Sequence, residues 1–87
     1  MENKIKIQFL TIEGCHNCEA AKKVFDEIMP EFSDRAEVEE IDMTTPEGME
    51  LVQKYGIMAS PGIVINGELF SSGGVDKEKL IEKLKSL

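Results

Sequence analysis

Polar and apolar residues alternate over Lys4-Ile5-Lys6-Ile7-Gln8-Phe9-Leu10, the two-residue period of a strand, and Thr11 to Gly14 reads as a short loop after it. From Cys15 the period lengthens. Ala21, Val24, Phe25, Ile28 and Met29 recur at helical spacing while Glu19, Lys22, Lys23, Asp26 and Glu27 fill the other face, and Pro30 is expected to stop the helix after about four turns. Glu37 to Met43 predicts a second strand whose apolar phase slips between Val38 and Ile41, as a bulged edge strand would allow. Thr44-Thr45-Pro46-Glu47 then opens a helix, with a threonine N-cap, proline at the first helical position and an acid in the first turn. Met49, Leu51, Val52 and Tyr55 are expected to face inward, and Gly56 suits a left-handed C-cap.

Pro61-Gly62-Ile63-Val64-Ile65 and Glu68-Leu69-Phe70 flank Asn66-Gly67, a pair suited to the type I′ turn, where both central residues need positive φ; an antiparallel hairpin is predicted. Ser71-Ser72-Gly73-Gly74 reads as a loop. Asp76 caps a last helix with Leu80, Ile81, Leu84 and Leu87 toward the core and Lys77, Glu78, Lys79, Glu82, Lys83 and Lys85 in water. The order β-α-β-α-β-β-α predicts an α/β fold with a four-stranded mixed sheet and helices on both faces. Its first two strands are parallel through a right-handed crossover and the hairpin is antiparallel. No internal repeat, linker or low-complexity tract divides the chain, so residues 1–87 read as a single domain.

Size and charge narrow the chemistry. A chain of 87 residues buries only roughly 60–65% of its unfolded surface, which gives one modest core and places any active site near the surface. Ten Lys and Arg against 17 Asp and Glu give a formal charge of −7, the wrong sign for nucleic acid or an anionic membrane. The longest apolar run is far short of the ~18 residues of a membrane helix. Met1-Glu2-Asn3-Lys4 shows no uninterrupted apolar region behind a basic one, so a cytoplasmic protein is expected. Two cysteines are too few for the framework of a small secreted domain, and their spacing must say what they do.

They stand as Cys15-His16-Asn17-Cys18, at the start of the first helix. A free thiol with a pKa of about 8.5 is only slightly ionised at neutral pH, whereas unpaired N–H groups and the dipole at a helix N-terminus favour the thiolate. Cys18, one turn on, would lie beneath Cys15. That asymmetry makes Cys15 the thiol that attacks a disulfide and Cys18 the one that resolves the mixed disulfide. A protonated His16 beside the thiolate would favour its anionic form. Other uses of the pair stay open. Structural zinc needs four ligands, and the chain adds only His16, too close in sequence to chelate comfortably with both cysteines. A metal or iron–sulfur cluster shared between two chains is a further use. Two inert buried cysteines fit poorly beside Gly14, His16 and Asn17.

A first strand ending at C-x-x-C on a helix start, in this element order and with Ser60-Pro61 before the hairpin, resembles the thioredoxin superfamily over essentially the whole chain. The matching pieces are Gly14-Cys15-His16-Asn17-Cys18, Glu39-Glu40-Ile41-Asp42, Tyr55-Gly56-Ile57-Met58-Ala59-Ser60-Pro61 and Ile65-Asn66-Gly67. The length is similar to that of glutaredoxins and the small thioredoxins of archaea and bacteria. The resemblance implies a thioredoxin-like fold and a thiol–disulfide oxidoreductase that cycles the Cys15–Cys18 disulfide with no cofactor or metal. It implies disulfide-containing protein substrates, an electron-donating reductase and a monomer. Gly14, His16, Asn17, Ser60 and Pro61 would bind substrate. Pro61 would be cis and face the disulfide, turning the Ser60 backbone outward to pair with an extended segment; an ordinary loop proline opening a strand is the alternative.

Departures accompany the match. Gly14 stands where thioredoxins usually carry Trp, and Phe9 where they carry a buried acid, so the proton of Cys18 must use another group, water or His16. Glutaredoxins commonly carry a basic residue before a C-P-Y-C pair; this chain has Glu13, then His16-Asn17. Ser72-Gly73-Gly74-Val75-Asp76 is similar to their glutathione-holding segment, but a Gly-Gly loop before an Asp N-cap is also the plain way into a helix, and that is the preferred reading. A glutathione-dependent glutaredoxin and a redox- or metal-responsive binding module are the alternatives to a protein-disulfide reductase.

Overall fold

The computed structural model describes residues 4–87; Met1, Glu2 and Asn3, on which part of the expectation about a leader rests, lie outside the described residues. The elements are β1 (Ile5–Thr11), α1 (His16–Phe32), β2 (Ala36–Asp42), α2 (Pro46–Tyr55), β3 (Gly62–Ile65), β4 (Glu68–Ser72) and α3 (Lys77–Ser86). The strands form one sheet in the order β2-β1-β3-β4. β1 and β2 run parallel, while β1–β3 and β3–β4 are antiparallel. The predicted mixed sheet with helices on both faces is what the chain forms. Among the described residues no helix is long and apolar enough to cross a membrane.

Strand alternation sends side chains to two different layers. Ile5, Ile7 and Phe9 of β1 and Ile63 and Ile65 of β3 meet Ala21, Phe25, Ile28 and Phe32 of α1 and Leu80 and Leu84 of α3. Leu10, Ile41, Ile57 and Val64 form a second cluster under Leu51, Val52 and Tyr55 of α2. The apparent phase slip in β2 follows from this. Ala36 and Val38 face the first layer and Ile41 the second, and the β1–β2 register runs unbroken from Ile5 opposite Ala36 to Thr11 opposite Asp42, so β2 carries no bulge. The irregularity lies in the hairpin instead. Ile63 is opposite Ser71 and Val64 opposite Leu69, leaving Phe70 as the extra residue, and β4 extends through Ser71 and Ser72. The Asn66-Gly67 turn takes positive φ at both positions, 50° and 81°.

Three helix expectations need correction. Pro30 does not end α1, which continues to Phe32. Its missing N–H frees only the Asp26 carbonyl on the exposed face, and burial of Phe32 at 3% exposure holds the last turn. Met49 is 52% exposed, because the inward stripe of α2 runs through Gly48, Leu51, Val52 and Tyr55 and leaves Met49 beside it. Leu87 is 44% exposed, since α3 ends at Ser86.

The start of α2 is fixed by short polar contacts. The Asp42 carboxylate accepts from Thr44 N at 2.7 Å and Thr44 Oγ1 at 2.6 Å, and Thr45 Oγ1 accepts from Gly48 N at 3.0 Å. Gly48 then packs so closely on β2 that a Cβ there would collide with the Asp42 carbonyl.

Gly48→Ala is expected to lower unfolding stability by about 2 kcal/mol or more, through overpacking against backbone, read as a fall in the urea midpoint. The Thr44 hydroxyl and N–H hold the Asp42 carboxyl below the usual carboxylate range. A carboxyl whose pKa falls on folding adds stability above its unfolded value of about 3.9 and loses it as pH drops through the folded value. Thr44→Val should therefore lower Tm at neutral pH, with the gap to wild type narrowing as pH falls through that folded value; a gap independent of pH would refute the linkage.

Candidate active site

β1 ends at Thr11, and Ile12-Glu13-Gly14 carries the chain to α1 through a positive φ of 81° at Gly14. Cys15 is the extended N-cap of α1, at φ −88° and ψ 112°, and its sulfur accepts from Cys18 N at 3.0 Å. A sulfur thus fills the place usually taken by a Ser, Thr, Asp or Asn oxygen. Cys15 and Cys18 form a disulfide with their Cα atoms 5.2 Å apart. Cys18 is buried at 6% exposure, while Cys15 is half-buried. The inner position expected for Cys18 is the one it occupies.

The facing wall comes from the segment between α2 and β3. The Ser60–Pro61 bond is cis. Ser60 Oγ donates to Cys15 Sγ at 3.2 Å. Pro61 itself is buried, and its carbonyl accepts from Gly73 N at 2.8 Å. Asn17 Nδ2 donates to the Gly73 carbonyl at 3.2 Å, so this side chain is engaged with the loop after β4. His16 is 97% exposed, its Nδ1 4.0 Å from Glu19 Oε2. Of the sequence-derived site residues, Ser60 touches the Cys15 sulfur and Gly14 precedes Cys15 in the chain, Pro61 is buried next to Ser60 in the chain, Asn17 is tied to Gly73, and His16 extends into solvent.

A cleft of about 390 Å³ opens on the other side of the cysteines, lined by Phe9, Thr11, Glu13, Cys18, Lys22, Glu40 and Asp42, among others. Thr11 Oγ1 donates to Glu40 Oε2 at 3.3 Å within it. Sequence reasoning did not place Glu40 at the site. The signal that finds it is register: Glu40 pairs with Phe9 and Asp42 with Thr11, so the acids of β2 share a face with β1 residues leading to Cys15. Phe9 fills the space where an acid would sit, packed on Phe25 with ring centroids 5.0 Å apart. Among the described residues no group of three or more His, Cys, Asp or Glu could hold a metal ion.

A disulfide whose outer sulfur caps a helix and receives a second hydrogen bond from across a groove is built for thiol–disulfide exchange, and the fold around it is the one that serves this class of oxidoreductase. Residues 3–86 match the family model described as a thioredoxin domain, and the chain belongs to that family. It is 42% identical over 83 residues to a thioredoxin of Methanocaldococcus jannaschii, covering 95% of each chain. It is 38% identical over 80 residues to a probable thioredoxin of Methanothermobacter marburgensis, covering 92% of each. Among solved structures, the malaria parasite thioredoxin-2 superposes with a TM-score of 0.80 at 19% identity, over 100% of this chain and 86% of that one. A germline-specific thioredoxin of Drosophila melanogaster gives 0.76 at 22% identity, over 97% and 81%. The protein is a thioredoxin-like protein-disulfide reductase.

After reduction, Cys15 is expected to react with iodoacetamide about tenfold faster than Cys18, because it is the more exposed and has donors aimed at its sulfur. Peptide mapping of partly alkylated protein measures the order, and equal rates would refute it.

Proposed function

We propose that Cys15 is the attacking thiol and Cys18 the resolving one. The Cys15 thiolate attacks one sulfur of a substrate disulfide, forming a mixed disulfide and releasing the other sulfur as a thiolate, which takes up a proton. Cys18, deprotonated, then attacks the Cys15 sulfur, closes the Cys15–Cys18 disulfide and releases the second substrate thiol. A pair of electrons passes to the substrate, and a reductase returns a pair to the protein. The observation that carries this reading is the pair of donors on Cys15 Sγ, Cys18 N–H and the Ser60 hydroxyl, both of which strengthen when the sulfur is anionic.

Substrate binds as an extended segment across Gly14, Ser60 and Pro61, with His16 and Asn17 on the outer rim, as a strand adds to an edge. The proton of Cys18 leaves by the polar cleft beside it, where Glu40 and Thr11 lie, rather than through the outward-turned His16. The acting unit is the monomer formed by residues 1–87 as one domain, which is supported by a site assembled within a single chain. A reducing compartment, the cytoplasm, suits a cysteine pair that must be re-reduced after each turnover. The glutaredoxin alternative is weaker. The Asp76 carboxylate already accepts Glu78 N at 2.9 Å and Lys79 N at 3.2 Å, so helix capping accounts for the Gly-Gly-x-Asp segment, and Glu13 beside Cys15 would repel an anionic tripeptide.

Insulin-disulfide reduction with dithiothreitol as donor is expected to be accelerated by the protein, and Cys15→Ser to fall to the uncatalysed rate. Cys18→Ser should accumulate a mixed disulfide with substrate. A Cys15→Ser variant as fast as wild type would exclude the assignment.

A further inference from the structure

Three hydrogen bonds close a ring through the Cys15 sulfur. Ser60 Oγ donates to Cys15 Sγ at 3.2 Å, Gly73 N donates to the Pro61 carbonyl at 2.8 Å, and Asn17 Nδ2 donates to the Gly73 carbonyl at 3.2 Å. The covalent Ser60-Pro61 and Cys15-His16-Asn17 stretches complete the circuit. Each joint unites segments far apart in sequence: Ser60 is 45 residues from Cys15 and Gly73 is 56 from Asn17. Gly73, at φ +89°, also neighbours Ala59, whose Cβ would be in ordinary contact, at 3.4 Å, with a Cβ at Gly73.

Asn17 is exposed and belongs to neither apolar cluster, so its amide adds nothing to core packing. What it does is hold the first turn of α1 to the loop that, through Gly73 N–H, holds Pro61 and hence Ser60. A hydroxyl bonded to a disulfide sulfur is a weak contact, whereas the same hydroxyl bonded to a thiolate is charge-assisted and about twice as strong. The ring therefore acts mainly on the reduced protein.

We propose that Asn17 is a positioning residue: by tying Gly73 to the helix that Cys15 caps, it keeps the Ser60 hydroxyl on the Cys15 sulfur and so favours the attacking thiolate. This rests on Cys15 being the attacking thiol. The middle of the C-x-x-C motif then favours the thiolate through the Asn17 amide, bonded to the Gly73 carbonyl, rather than through the solvent-extended His16.

The test is a thermodynamic cycle read by thiolate absorbance against pH, in a Cys18→Ser background where Cys15 is the one thiol that titrates. Ser60→Ala is expected to raise the proton affinity of Cys15 about fivefold and Asn17→Ala about threefold, the size of one lost hydrogen bond. Asn17→Ala should add little once Ser60 is already Ala, because the ring has no hydroxyl left to position. With both cysteines present, Asn17→Ala should also move the Cys15–Cys18 potential to a more negative value, since the loss falls on the dithiol form. Additive effects of the two substitutions, or an Asn17→Ala midpoint at the wild-type value, would overturn the proposal while leaving the exchange mechanism intact. Cys18 alkylating before Cys15 in the otherwise unaltered protein would overturn the role of Cys15, and this proposal with it.

Discussion

Helix α1 begins with backbone N–H groups that no earlier carbonyl can satisfy, and the Cys15 sulfur takes one of them. The rest of the site follows from where that helix can be. Phe25, Ile28 and Phe32 are buried against β1, β3 and α3, which leaves the helix no freedom to slide. Its first turn is therefore delivered to the end of β1, and with it a sulfur that has to act as a hydrogen-bond acceptor. A group held in that role gains most when it is anionic, so the packing that fixes the helix also prepares the thiol for its chemistry.

The opposite wall is held by a separate set of contacts. Ile57, just past the left-handed Gly56 cap of α2, is buried with Leu10, Ile41 and Val64, and Gly62 lets its side chain approach so closely that a Cβ there would stand 2.7 Å from it. Ser60 and Pro61 are thus suspended between two anchored residues. One apolar layer lies under α1 and α3 and the other under α2, and Ser60 Oγ reaches Cys15 Sγ across the groove at their end.

Features governed by neighbouring residues were legible in the sequence. The Thr45-Pro46 helix start, the Asn66-Gly67 turn, the Asp76 cap and Cys15 at a helix N-terminus all depend on contacts within a few residues. Features governed by distant partners were not. Pro30 was overruled by the burial of Phe32, the slip in β2 was two-faced burial rather than a bulge, and Met49 lost its inward place to Gly48. The same division runs through the site. Cys15, Cys18 and the cis Ser60–Pro61 bond could be anticipated from motif and resemblance, whereas the Asn17–Gly73 contact and the placing of Glu40 in the cleft that Cys18 also lines appear only once strand register and loop positions are known.

The short span of the disulfide has a consequence of its own. Cys15 and Cys18 are separated by three positions, and closing so small a loop removes little freedom from an unfolded chain, so the bond is a poor staple. Cohesion comes instead from the two apolar clusters on the two sides of the sheet, which are built from aliphatic and aromatic side chains. The bond is thereby released from structural duty: it can be broken and remade at every turnover without the architecture being put at stake.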